Sequence, residues 1–212
     1  GEKKIGNEII ENEAGWKKGQ VELKTGINQR FVSSKSSENL AYEAIKKIKT
    51  NKWIKNVDLV ISVTNTPTIL FPNFANYAHS FLNLEEDCKC LGLNSGCTGF
   101  VEALELVSFY FNNGSKKALI ITYDTYTHFL SNSDYSTRTL FSDGASVTLL
   151  EKDTKEWKIK LSKISTAPNT QNSLVMEKKL NTIRMKGPSV FTFGIKSVKK
   201  DTNKILSNYP NS

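Results

Sequence analysis

Asn94-Ser95-Gly96-Cys97-Thr98-Gly99-Phe100 separates a short strand-like run, Cys88-Lys89-Cys90-Leu91-Gly92-Leu93, from a long apolar segment, Val101 to Phe111, that Asn112-Asn113-Gly114 closes. Gly96 and Gly99 permit a sharp turn and close packing. Asn113-Gly114 suits a helix C-cap. The stretch reads as strand, tight turn, cysteine, helix. Cys97 then falls at a helix N-terminus, where unpaired N–H groups and the positive end of the dipole stabilise an anion. Such a place favours a nucleophilic thiolate. From position alone, an ordinary packed cysteine is as common an outcome.

The helix after Cys97 is apolar nearly all the way round. Phe100, Val101, Ala103, Leu104, Leu106, Val107, Phe109, Tyr110 and Phe111 leave little polar surface. That pattern predicts a buried helix. Its length, with Glu102 and Glu105 inside it, excludes a membrane span.

Working outward, Asp58 to Thr64 and Lys117 to Tyr123 are continuous apolar runs, as in a buried parallel sheet. Between them stand helix patterns. Ser33 to Ser37 offers an N-cap for a helix through Leu40, Ala41, Ala44, Ile45 and Ile48. Phe71-Pro72 precedes one through Phe74, Tyr77, Ala78, Phe81 and Leu82. Strand alternating with helix argues for an α/β fold with a mixed, mostly parallel sheet and helices on its faces. Residues 1–24 read as polar and loop-like, with a helix near Asn7 to Ala14, and residues 24–31 as a turn followed by extended chain. Gly144 to Leu150 and Trp157 to Ile164 read as two further strands. Residues 165–182 read as a polar insertion, and a last helix runs through Val190, Phe193, Ile195, Val198, Ile205 and Leu206.

Composition narrows the classes. The chain has 212 residues, 38% hydrophobic and 24% charged, which suits one globular domain. No apolar run is long enough for a bilayer and no signal peptide opens the sequence, so a cytoplasmic protein is expected. Three cysteines do not suggest a disulfide framework and agree with a reducing compartment. Cys88 and Cys90 share one strand face. With only His79 and His128 to join them, no metal site is expected. The net charge of +8 is mostly lysine and reads as a solvated surface with some attraction to an acidic partner. No basic cluster is interleaved with aromatics, so a nucleic-acid partner is not expected.

Five stretches together carry a family resemblance. Asn94 to Phe100 resembles the nucleophile segment of β-ketoacyl-acyl-carrier-protein synthase III, of the thiolase superfamily. Lys24-Thr25-Gly26-Ile27-Asn28-Gln29-Arg30 resembles its T-G-I-x-x-R. Leu70-Phe71-Pro72-Asn73 resembles its F-P segment before the dimer-interface helix. Leu140-Phe141-Ser142-Asp143-Gly144-Ala145-Ser146 resembles its F-G-D-G-A-G. Met185-Lys186-Gly187-Pro188-Ser189-Val190-Phe191-Thr192-Phe193 resembles the M-x-G-x-x-V-F-x-F that opens its second half.

The resemblance implies a thiolase-like fold, one half of an αβαβα sandwich with the nucleophile helix buried at its centre. It implies residues 1–165 as the half carrying the nucleophile, and 166–212 as an insertion and the start of the other half. It implies an acyltransferase without a cofactor, whose substrates are coenzyme A or carrier-protein thioesters. An acyl group would move to Cys97, and decarboxylating malonyl-acyl-carrier protein would then attack it, as in fatty-acid biosynthesis. The Cys97 N–H would be an oxyanion donor. Lys24, Arg30, Phe71, Thr98, Phe141 and Gly144 would lie at the substrate. Partners would be acyl carrier protein and a second copy, with Phe71 reaching toward it. A non-catalytic dimerising or carrier-binding relative is the alternative. The family's adenine-contacting tryptophan and arginine positions hold Gln20 and Tyr135, which puts a carrier-bound primer beside coenzyme A. His79 reads as an interface or packing residue, and His128 lies in a loop after the Ile120 strand that could approach the site. The family's catalytic His and Asn would fall beyond residue 212. The chain alone is therefore expected to acylate slowly and not to condense.

Overall fold

The computed structural model describes residues 1–152, 164–177 and 181–207. These divide into two compact units. The first comprises residues 1–5, 30–126 and 142–164; the second comprises 6–29, 127–141 and 165–212.

The first unit is built on a sheet of strands β3 (Leu59–Val63), β4 (Lys89–Leu93), β5 (Lys117–Thr125) and β6 (Asp143–Glu151), in the order β4-β3-β5-β6. The β3 strand is parallel to both β4 and β5, and β6 runs antiparallel to β5. All five residues of β3 are buried, as a strand covered on both faces requires. On one face Val60, Leu119, Ile121 and Tyr123 pack with residues of α3 (Ser37–Lys46) and α4 (Phe74–Leu82). On the other, Leu59, Ile61, Val63, Ala118 and Ile120 pack with Ala103 and Val107 of α5 (Gly99–Asn112). A fully buried Leu, Ile or Val contributes about 1.5–3 kcal/mol by leaving water. The cap of α3 follows sequence expectation, with Ser36 accepting from Asn39 N–H, and Asn73 accepts from Ala75 N–H at the start of α4. Strands β1 (Lys3–Gly6) and β2 (Gln29–Val32) form a small separate ladder.

The second unit contains α1 (Asn7–Ala14), α2 (Gln20–Thr25), α6 (Tyr135–Arg138), the antiparallel hairpin of β7 (Leu174–Glu177) and β8 (Thr182–Met185), and α7 (Gly187–Ser207). Buried Glu11 closes the turn from α1 to α2, accepting from Gly19 N–H at 3.0 Å and Val21 N–H at 2.9 Å.

Four sequence expectations change. Lys3–Gly6, read as loop, is the strand β1 paired with β2. Residues 20–25 are a short helix between two left-handed glycines, Gly19 and Gly26, instead of loop. The polar stretch after 165 contains the β7–β8 hairpin. The α5 helix is buried on one face only: Gly99, Ala103 and Val107 lie against the sheet, whereas Phe100, Val101 and Phe109 are 38–59% exposed. A single sheet covers only one side of a helix. The strand expected over Trp157 to Ile164 lies, apart from Ile164, outside the described residues. Among the described residues no helix is long and apolar enough to cross a membrane.

Candidate active site

The site stands where β3 and β4 end. Past Leu93 the chain enters a single 3-10 turn, Gly96–Thr98, and α5 begins at Gly99. Gly96 has φ +57, a left-handed conformation that glycine adopts without strain. Gly99 lets the helix start close to the sheet, since a Cβ there would sit 2.5 Å from Val63 Cγ1. Between these glycines Cys97 is exposed. The sequence thus places a thiol at the start of a helix and open to reactants.

Around it lies a cavity of 320 Å³. Gly96, Cys97 and Phe100 line one side, and Val63, Thr122, Asp124, Ser146 and Thr148 line the sheet side. The Thr122 and Ser146 hydroxyls are 3.0 Å apart across β5 and β6. Thr98 Oγ1 lies 2.8 Å from the Ser95 carbonyl and 2.7 Å from Glu102 Oε1. Side-chain hydrogen bonds from Ser95 and Thr98 hold the Glu102 carboxyl below the usual carboxylate range.

Behind the turn is a buried polar network. Asp124 Oδ1 accepts from Thr64 Oγ1, Asn65 N–H, Thr66 N–H and Thr66 Oγ1 at 2.8–3.0 Å. Burial raises the Asp124 carboxyl pKa, and these donors oppose the rise. Asn65 Oδ1 accepts the Gly96 N–H at 3.1 Å, while Asn65 Nδ2 donates to the Tyr126 hydroxyl at 2.7 Å. Burial, with the Asp124 charge nearby, pushes the Tyr126 phenol up to about 12.

A sequence model of the 3-oxoacyl-[acyl-carrier-protein (ACP)] synthase III family matches residues 91–168, the span holding this turn, α5, β5 and β6. The chain resembles synthase III in sequence and in fold. The β-ketoacyl-[acyl-carrier-protein] synthase III of Clostridium novyi is 28% identical over 94% of this chain and 65% of its own length. That of Coxiella burnetii is 34% identical over 60% of this chain and 42% of its own. Among solved structures, synthase III from Aquifex aeolicus superposes with a TM-score of 0.86 at 23% identity, covering 97% of this chain and 68% of that one. The chain therefore spans just under two thirds of the length of the Clostridium novyi relative.

The other synthase III-like positions fall in different places. Thr98 directly follows Cys97, and Gly144 pairs in the β5–β6 ladder with Asp124, which lines the cavity. Phe71 stands before α4 and is 86% exposed. Arg30, in β2, is only 4% exposed. In the second unit Lys24 is exposed in the last turn of α2, and Phe141 is half-buried. His79 Nε2 donates to the Glu85 carbonyl at 2.9 Å. His128 lies on the 3-10 turn Tyr126–Phe129.

Sequence reasoning passed over Asn65, Asp124, Tyr126 and Trp16. Trp16 packs edge-on against Tyr135, centroids 6.3 Å apart, and Arg138 lies over the same Tyr135 ring at 5.6 Å. Arg138 is also paired with Glu13 at 2.7 Å. A tryptophan beside the lysines at 17 and 18 was the available signal. Among the described residues no group of three or more His, Cys, Asp or Glu side chains is placed to hold a metal ion.

Proposed function

We propose that the protein is an acyltransferase of the 3-oxoacyl-acyl-carrier-protein synthase III kind, in which Cys97 takes an acyl group from a thioester. The exposed thiol at the N-terminal end of α5 carries this reading. The thiolate attacks the thioester carbonyl, the C–S bond to the carrier breaks, and the carrier thiol leaves with a proton. A helix start offers N–H donors to the oxyanion that forms on the way. Together with the second half of the fold, the protein then condenses: malonyl-acyl-carrier protein loses CO2, the carbanion left attacks the acyl-Cys97 carbonyl, the C–S bond to Cys97 breaks to return the thiolate, and a β-ketoacyl-carrier product leaves in acyl-chain synthesis. Splitting the reaction this way is covalent catalysis.

On this reading residues 1–165 form the nucleophile half and 166–212 lead into the other half. Thr98, Gly144, Arg30, Phe71, Lys24 and Phe141 serve substrate binding, Arg30 from a buried position that suits support of the site. Exposed Phe71 beside α4 supports an isologous homodimer. The aromatic pair of Trp16 and Tyr135 supports a flat group such as the adenine of coenzyme A. Three free cysteines support a reducing cytoplasm.

The test is intact mass after incubation with a panel of acyl-coenzyme A and acyl-carrier thioesters. One acyl adduct should form, and peptide mapping should place it on Cys97. An adduct on Cys90 alone, or none with any thioester, would overturn the reading.

A further inference from the structure

We infer that Asn65 is a positioning residue for Cys97, fixing the nucleophile turn through its hold on the Gly96 N–H. The inference rests on the reading of Cys97 as the acylated residue and adds the means by which that residue is aimed.

The argument starts in the sheet. After β3 the chain turns through Thr64-Asn65-Thr66, and all three residues are tied to Asp124 Oδ1. Thr66 Oγ1 also accepts the Thr125 N–H at 2.9 Å, and Thr66 and Thr125 are each 1% exposed. The backbone of Asn65 is therefore seated on a buried, satisfied network, the kind that rigidifies. Both ends of its side-chain amide are used: Nδ2 on the Tyr126 hydroxyl, Oδ1 on Gly96 N–H. Those two bonds define the side chain's direction.

Gly96 is the weak point of the nucleophile turn. Glycine loses more conformational freedom on folding than any other residue. Its φ of +57 is held from outside, and the atom nearest the Cβ position is Asn65 Nδ2 at 3.6 Å. The Gly96–Cys97 peptide carries the N–H proposed for the oxyanion, so an amide that clamps Gly96 sets where that N–H and the thiol point. A misplacement of about 1 Å costs on the order of hundredfold in rate. Simple alkylation of a thiol has no oxyanion to stabilise and is less demanding.

The experiment compares Asn65→Ala and Asn65→Asp with the wild type. Three rates are read: thioester acylation of Cys97, its alkylation by iodoacetamide, and amide hydrogen exchange over residues 94–98. Asn65→Ala should lower acylation by about tenfold or more. Alkylation should stay within about threefold, as simple displacement makes no call on the oxyanion donor. Exchange over 94–98 should quicken. Asn65→Asp keeps an acceptor for Gly96 N–H and should restore wild-type exchange. Where Asn65→Ala does not fold, Tyr126→Phe frees only the Nδ2 end and should lower acylation by a few-fold, about what one lost neutral hydrogen bond predicts. Equal acylation in wild type and Asn65→Ala, or parallel losses of acylation and alkylation, would overturn the inference. If wild-type Cys97 takes no acyl group from any thioester, the proposed function fails. Exchange then decides the positioning claim by itself, and unchanged exchange over 94–98 in Asn65→Ala refutes it.

Discussion

Cys90 and Cys97 belong to one short passage of chain and have opposite surroundings. Cys90 lies within β4, packed with the α3 and α4 core, its sulfur 3.5 Å from the Ala75 carbonyl. Beside the Cys88 thiol, and with His79 nearby, the Cys90 thiol is lowered from its ordinary value while burial opposes the shift, and the Cys88 thiol is pushed up by Cys90 and by burial. Cys97 has left the sheet, stands exposed beside a cavity, and is held through Gly96 and Asn65. The strand gives Cys90 an acidifying partner and no room for a substrate. The turn gives Cys97 room and a fixed direction. Acidity and access are separate properties, and covalent catalysis needs the reacting atom to be reachable and aimed as well as ionised.

Removing each sulfur tests the contrast most strongly. Cys97→Ala should abolish the acyl adduct with thioesters, and Cys90→Ala should leave it in place. Intact mass of both variants reads this directly. Retained acylation in Cys97→Ala would reverse the roles assigned to the two thiols.

A smaller effect separates acidity from access. A lowered thiol ionises earlier than an ordinary cysteine, so Cys90 alkylation should already climb with pH below the usual cysteine range of about 8.5. Cys88→Ala removes the S–H donor and should move the Cys90 midpoint upward. At every pH Cys97 should label ahead of Cys90, because it is the more accessible. Peptide mapping after short exposure to iodoacetamide gives both curves. Faster labelling of Cys90 at pH 8 would show that acidity outweighs access here.

The mildest change acts on the seat of Cys97 alone. In Gly99→Ala the new methyl would meet Val63 Cγ1 at 2.5 Å, so the start of α5 must shift. Overpacking of this kind costs about 1–3 kcal/mol. Urea unfolding should show that loss, and Cys97 acylation should slow while Cys90 labelling holds. Parallel changes at both cysteines would mean that the two regions are coupled.

Much of this contrast could be read from sequence, for stated reasons. The strands β3 and β5 carry the apolar runs Leu59–Ile61 and Ala118–Ile121 because both of their faces are covered there, and the helix after Cys97 announces itself by length and composition. Residues 20–25 escaped because six residues are too few for a periodicity, although Gly19 and Gly26 marked both ends. The β7–β8 hairpin hid in a polar stretch whose turn uses Asn181 at φ 49. The Asn65 clamp was illegible for a different reason: Asn65 and Gly96 are 31 residues apart, and nothing local marks an asparagine after a strand as a partner for a distant glycine. The even spread of apolar residues on α5 said that many are apolar, not which of them a single sheet would cover.

The buried row of α5 has a shape as well as a chemistry. Gly99, Ala103 and Val107 follow one another along the face that meets the sheet, and each is bulkier than the one before. A helix resting on spacers of graded thickness is a wedge, thin where the nucleophile begins and thick toward its far end. Exchanging the thin and thick ends, as in a paired Gly99→Val and Val107→Gly swap, would keep the composition of the row while rocking the helix the other way and lifting Cys97 from its seat.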